Sequence, residues 1–228
     1  MGFFITLDGL DASGKETQSD LLCSALQKQG YQVRALSFPM YGHPGAVPVE
    51  LYLNGTLGAQ PEDTNAFAAS TFFSVDRYIS YRTDWKKDID DPNTIVVSNR
   101  YTTANAVHQL SKLPKEQWNS FLDWLWDFEF NKLGLPLPDM IFYLEMHPDI
   151  SMRLLAHRTE ETGRKQDIHE TNKTHLIKSY EAAQYASDTL GWNRIVCHAD
   201  NDPRPISDIH SEIMALVTGE LLKKTQIL

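Results

Sequence analysis

The sequence predicts an α/β fold in three layers, a five-stranded parallel sheet flanked by helices, and three observations predict it. Short apolar runs of strand length recur at Phe3–Leu7, Val33–Phe38, Thr94–Val97, Met140–Leu144 and Ile195–Cys197. Segments with apolar residues at helical spacing separate them, and strands that alternate with helices pair in parallel beneath helices on both faces. A Gly-x-x-x-x-Gly-Lys pattern follows the first run, where the strand passes into a helix.

The elements follow in chain order. Phe3–Leu7 is apolar throughout, the mark of a strand buried on both faces. Leu21, Leu22, Ala25 and Leu26 then recur at helical spacing, and Gln29-Gly30 stops that helix. Val33–Phe38 reads as the second strand, ended by Pro39, which has no N–H for a ladder. A short helix is expected over Val47–Leu53 and a longer one from Pro61 to about Arg82, its proline in the first turn where a missing N–H costs nothing. Thr94–Val97 is the third strand. Trp118, Phe121, Leu122, Leu125 and Phe128 form an aromatic stripe on one helical face, assigned to packing in the core or against a second subunit. Pro136 and Pro138 precede the fourth strand, Met140–Leu144. A polar segment from Thr159 to His169 lies between elements, and the fifth strand, Ile195–Cys197, has a helix on either side.

The 228 residues are 42% apolar with no linker-like stretch, so a single domain over 1–228 is expected. Lys and Arg number 21 against 30 Asp and Glu, a net charge of −9, which excludes a protein that grips nucleic acid by neutralising its backbone. Any phosphate must be handled locally. Cys23 and Cys197 lack disulfide-framework or zinc spacing, which fits a reducing, cytoplasmic setting. Phe3–Leu7 is too short for a signal core or a membrane span. The opening Met-Gly-Phe-Phe-Ile-Thr matches a myristoylation signal but falls in an expected buried strand, and the sequons at Asn54 and Asn172 carry no weight in a chain read as cytoplasmic.

Residues 9 to 17 read GLDASGKET. A bare pattern of this kind arises by chance in roughly one chain in fifteen of this length, so the strand before it and the helix after it decide. In that context Gly9 and Gly14 permit backbone angles and close approaches that side chains forbid. The amide hydrogens of Asp11, Ala12, Ser13, Gly14, Lys15, Glu16 and Thr17 can then face one phosphate, helped by the positive end of the helix and by the Lys15 ammonium. The residue after Lys15, where a hydroxyl usually ligates Mg²⁺, is Glu16, and Thr17 comes one position late. Glu16 and Asp11 are the candidate metal ligands, with Asp8 near; each aspartate can equally shape the loop by accepting backbone hydrogen bonds.

The segments GLDASGKETQ, SFPMYGHPG, YLNGTLG, STFFSVDRY, SNRYTTANAVHQ and LPDMIFYLEM stand in the order and at the intervals of thymidylate kinases, and the chain resembles that family over nearly its full length. The resemblance implies a P-loop kinase core with a lid at about 158–170, use of ATP with Mg²⁺, dTMP as acceptor, and a homodimer that engages neither nucleic acid nor membrane. It implies roles by position. Phe73 corresponds to the aromatic that stacks on the pyrimidine, Arg77 to the side chain that reaches a base oxygen, and Asn105 and Gln109 to polar groups lining the base pocket. Tyr101 corresponds to the residue on the 2′ side of the sugar, and Phe38 and Tyr41 to the acceptor-binding turn. Arg100 resembles the arginine that grips the acceptor phosphate and the phosphoryl in flight. With Ala12 in place of a basic P-loop residue, Arg158 and Arg164 are the lid candidates for catalysis, with Lys165 behind them. The plain alternatives stay beside these roles: Phe73 as core, Asn105 as a helix cap, and the lid arginines paired with Glu160 or Glu161.

The chain departs from the family pattern at Tyr41, which stands where an arginine contacts the nucleotide phosphate, and at Asn99, which replaces an aspartate. Glu16 brings a carboxylate as Asn99 removes one. These departures leave open a kinase of another nucleotide or nucleoside, or a non-catalytic nucleotide-binding relative. A GTPase is not favoured, because the chain has no N-K-x-D guanine reader.

Overall fold

The computed structural model describes residues 1–163 and 167–226. Five strands, β1 (Phe3–Gly9), β2 (Gln32–Ser37), β3 (Thr94–Asn99), β4 (Met140–Glu145) and β5 (Asn193–Val196), form one parallel sheet in the order β2-β3-β1-β4-β5. In register, Ile5 stands beside Val97 on one side and Met140 on the other. β1 is therefore central, and the chain crosses to opposite sides of it, which opens a crevice at the carboxyl ends of β1, β3 and β4.

The alternation of β1 divides the core. Phe3, Ile5 and Leu7 face Leu22 and Leu26 of α1 (Lys15–Lys28) and Ile213 and Val217 of α9 (Ile206–Gln226). On the opposite face Phe4 packs with Val96, Trp85 and Tyr101, while Tyr143 joins Phe121, Leu122 and Leu125 of α6 (Trp118–Trp126) and the alanines of α8 (Lys173–Leu190). Each fully buried leucine or phenylalanine contributes roughly 2 kcal/mol of transfer free energy. The aromatic stripe is thus core for its first four members; Phe128 lies beyond the helix, its ring 5.3 Å from that of Trp124.

The short helix falls where expected, α2 (Val47–Leu53). The expected helix from Pro61 to Arg82 is divided. Pro61–Asp63 form a separate turn closed by a Gln60–Asp63 capping box, Thr64 is extended, and the Asn65 side chain caps α3 (Ala66–Ser80) by accepting from the Ala68 amide. A wide, π-type turn over Tyr81–Trp85 then leads into α4 (Lys86–Asp90). β5 runs over Asn193–Val196 rather than Ile195–Cys197. Cys197 leaves the ladder, although its amide still donates to Glu145 O, and an antiparallel pair that alternation did not announce follows, β6 (His198–Ala199) with β7 (Asp202–Pro203). The remaining helices are α5 (Thr103–His108) and α7 (Pro148–Thr162). Among the described residues no helix is long and apolar enough to cross a membrane.

Candidate active site

The loop after β1 turns back on itself at the sheet crevice. Gly9 has no room for a side chain, because a Cβ would come within 2.6 Å of Ser13 Oγ and 2.7 Å of Leu144 O. Gly14 closes the loop at φ 86°, and Lys15 begins α1. Ala12 adopts φ 58° and Arg100, after β3, φ 67°; each costs on the order of 1 kcal/mol or more for a residue with a Cβ. Asp200 is the third such residue among those described, so two of three lie at this crevice.

The loop faces a cleft of about 840 Å³ lined by the P-loop, the Phe38-Pro39 turn, α3, α5 and the segment around Asp167–Glu170. Lys15 folds over its own loop, donating to Leu10 O at 3.0 Å and lying 3.4 Å from Asp11 Oδ1. Burial brings its ammonium down to about 8, and Arg100 adds to the shift against the pull of Asp11 and Asp8. Arg100 Nη2 also rests on Asp11 Oδ1, Nη1 donates to His108 Nε2 at 2.9 Å, and Nη1 lies 4.0 Å from Asp8 Oδ1. Burial raises the Asp11 carboxyl, but Arg100 and Lys15 outweigh it and hold the group well below the usual carboxylate range. Asp8 accepts from the Gly9 amide at 2.8 Å and from Thr103 Oγ1 at 2.6 Å, and Ser151 of α7 donates its hydroxyl to Asp11 O.

Two of the residues proposed for the base pocket are held from behind. Arg77 is buried and forms a two-point ion pair with Glu129, Nε to Oε2 at 2.7 Å and Nη2 to Oε1 at 2.5 Å, while Nη1 donates to Tyr101 O at 3.3 Å. Asn105 donates to the same carboxylate at 3.2 Å and to Ser70 O at 3.3 Å, so it is not the cap of α5. Gln109, one turn on, is buried beside it on the cleft wall. Phe73 is half-buried, its ring edge-on to Tyr52 at 6.1 Å, and borders the cleft. Phe38 is 3% exposed and packs on Tyr101 and Trp85. Tyr101 is fully buried and its hydroxyl donates to Pro136 O, so any action against a 2′-hydroxyl falls to its ring and not to its phenol. Tyr41 stands at the rim, 60% exposed.

Of the lid arginines, Arg158 lines the cleft and pairs with Glu170 at 2.6 Å, a partner that the neighbouring Glu160 and Glu161 had obscured in the sequence. Arg164 and Lys165 lie outside the described residues. Asp167 accepts from the amides of His169 and Glu170, and burial, with Asp11 nearby, pushes its carboxyl up to about 6.

Sequence reasoning missed a buried histidine stack. His108, His169 and His175 lie ring on ring, with centroids 4.6 to 5.9 Å apart. Burial lowers all three, His175 to about 3, so they are neutral at ordinary pH. A neutral His108 that accepts from Arg100 at Nε2 carries its proton on Nδ1. One ring nitrogen of each lies within 4.8 Å of the others, but stacked planes within 37° of one another send their in-plane lone pairs side by side rather than to one point. His108 was legible in principle, since it sits three residues after Asn105 and shares its helical face. Glu129 gave no signal beyond being a carboxylate inside an aromatic run.

The family model described as Thymidylate kinase matches residues 7–193. The thymidylate kinase of Mycobacterium tuberculosis is 28% identical over 204 residues, covering 87% of this chain and 92% of that one. A probable thymidylate kinase of Thermococcus onnurineus is 28% identical over 225 residues, covering 97% and 100%. Among solved structures, thymidylate kinase from Candida albicans superposes with a TM-score of 0.67 at 18% identity, covering 96% of this chain and 92% of that one, a likeness of fold.

Proposed function

The chain belongs to the thymidylate kinase family, and from that premise we propose that it transfers the terminal phosphoryl group of ATP to dTMP, giving dTDP and ADP. The observation that carries the reading is the convergence of Lys15 and Arg100 on Asp11 at the mouth of the β1 crevice. Phosphoryl transfer asks little covalent chemistry of a protein; it asks that two phosphates be held in line while cations neutralise the charge spreading over the transferred group. The P-loop amides take the triphosphate tail. Arg100, poised between Asp11 and His108, exchanges those contacts for the acceptor phosphate, and the cation on Arg158 approaches from the lid. Phe73, Arg77, Asn105 and Gln109 hold the base.

Mg²⁺, which the family implies, would supply charge neutralisation on the phosphates, and the donors present fit it. Mg²⁺ keeps most of its waters and takes one or two protein oxygens. Glu16 is exposed in the first turn of α1 on the cleft wall, and Asn99 Oδ1 is a buried oxygen without a hydrogen-bond partner on the same cleft. Asp11 commits Oδ1 to two cations, and its other oxygen would be the one to accept from a metal-bound water. Glu16 in this reading partly replaces the charge that Asn99 lacks.

The same reading takes residues 1–228 as a single domain, cytoplasmic and homodimeric. Phe67, 42% exposed and edge-on to Trp124 at 4.7 Å, marks an apolar strip between α3 and α6 that suits a second copy; light scattering checks the dimer. For the reaction, a coupled ADP-release assay with dTMP, dUMP, dCMP, AMP and thymidine decides. Turnover is expected with dTMP above the others. Preference for AMP or thymidine, or no ADP release with any acceptor, overturns the assignment.

A further inference from the structure

Glu129 lies in the wide, π-type turn over Asp127–Lys132 that follows α6, and its side chain is wholly buried beneath the cleft floor. Oε1 accepts from Ser74 Oγ at 2.8 Å, Arg77 Nη2 at 2.5 Å and Asn105 Nδ2 at 3.2 Å. Oε2 accepts from Arg77 Nε at 2.7 Å and Thr102 Oγ1 at 2.6 Å. Five donors surround one carboxylate, and the two that also reach the cleft are Arg77 and Asn105.

This arrangement fixes which way the Asn105 amide faces. Its two N–H bonds point at Glu129 Oε1 and at Ser70 O, and neither oxygen can donate. Turning the amide over would set its own oxygen against both. Asn105 Oδ1 is therefore left on the side away from Glu129 Oε1, buried and without a partner, in a residue that borders the cleft. Arg77 spends Nε and one Nη2 hydrogen on Glu129 and one Nη1 hydrogen on Tyr101 O, which leaves one N–H on each terminal nitrogen. The floor presents an acceptor from Asn105 beside donors from Arg77.

Thymine and uracil carry a carbonyl at C4 and an N–H at N3, which meet a donor and an acceptor in that order. A cytosine ring carries an amino group and a bare nitrogen there, and would set donor against donor and lone pair against lone pair. We propose that Glu129 is the positioning residue that sets base specificity. By holding the Asn105 oxygen on the side away from itself and Arg77 beside it, Glu129 selects a 4-keto, N3–H pyrimidine over a 4-amino pyrimidine. The inference rests on the dTMP reading above.

The test compares dTMP with 5-methyl-dCMP, which keep the same methyl group and differ only on the C4–N3 edge, in the full-length protein by ADP release. Wild type is expected to favour dTMP in kcat/KM on the order of a thousandfold or more, as sites built to hydrogen-bond a substrate group do. Glu129→Gln keeps the volume but offers an amide that can donate as well as accept, which removes one of the two acceptors that orient Asn105 and the charge that holds Arg77. The ratio is expected to fall to within about tenfold, chiefly through KM for the nucleotide, with KM for ATP unmoved. A merely structural role would lower both rates together and leave the ratio alone, and an unchanged ratio in an active Glu129→Gln protein overturns the inference. So does a wild type that uses 5-methyl-dCMP within tenfold of dTMP, a measurement that needs no variant to fold. A wild type that phosphorylates neither nucleotide overturns the dTMP reading and takes this one with it, whereas turnover of dTMP with an unchanged ratio sinks only the role of Glu129.

Discussion

Arg100 and Lys15 share one oxygen of Asp11: Nη2 of the arginine and Nζ of the lysine both point at Oδ1. A single carboxylate between two cations keeps each in place yet binds neither so fully that a phosphate cannot take it over. Arg100→Ala removes a cation that meets charge in the transition state, and kcat is expected to fall about a hundredfold or more, with the melting temperature close to wild type. A loss under tenfold contradicts the role given to Arg100.

The Lys15 ammonium loses its proton near pH 8 in the free enzyme. Only the charged form attracts a triphosphate, so kcat/KM for ATP is expected to decline above about pH 8, approaching tenfold per pH unit. Lys112, which burial brings to about 7 and which donates to Tyr52 and Thr64, lies off the cleft wall. The alkaline limb should persist in Lys112→Gln; a profile flat to pH 9.5 in wild type rules Lys15 out as its source.

Glu16→Gln removes the exposed carboxylate at the head of α1. The Mg²⁺ concentration for half-maximal rate is expected to rise several-fold while kcat at saturating metal changes little. An unaltered Mg²⁺ titration ends the idea that Glu16 stands in for the charge absent at Asn99.

The lid arginines can be separated by single-turnover kinetics. Arg158→Ala is expected to slow the phosphoryl step by tenfold or more with the affinity for ATP retained, because its cation is needed while charge develops. If Arg164→Ala carries the whole effect and Arg158→Ala none, then Arg158 is only the partner of Glu170.

Much of this was legible in the chain. Five buried runs separated by helical periodicity gave the sheet, since apolar runs of that length have no other stable home in a chain of this composition. GLDASGKET gave the glycine turn between β1 and α1 because its strand and helix flank it in sequence. What escaped notice was nonlocal. Glu129 reads as an interruption in an aromatic run until the chain folds Ser74, Arg77, Thr102 and Asn105 around it. His169, between α7 and α8, and His175, in α8, meet His108 only once α8 packs on α5. The Pro61 error was local but subtle: a capping box can close a turn as readily as it can open a helix.

The hydroxyl of Ser151 on the carbonyl of Asp11 ties the first turn of α7 to the bottom of the phosphate loop. Seven residues later the same helix carries Arg158, two turns on, about 10.5 Å along the axis and on the same side. The helix is thus a rod pinned at one end to the loop and bearing its charge at the other. The hydrogen bond thus makes the Asp11 peptide and the helix side that carries Arg158 parts of one connected piece.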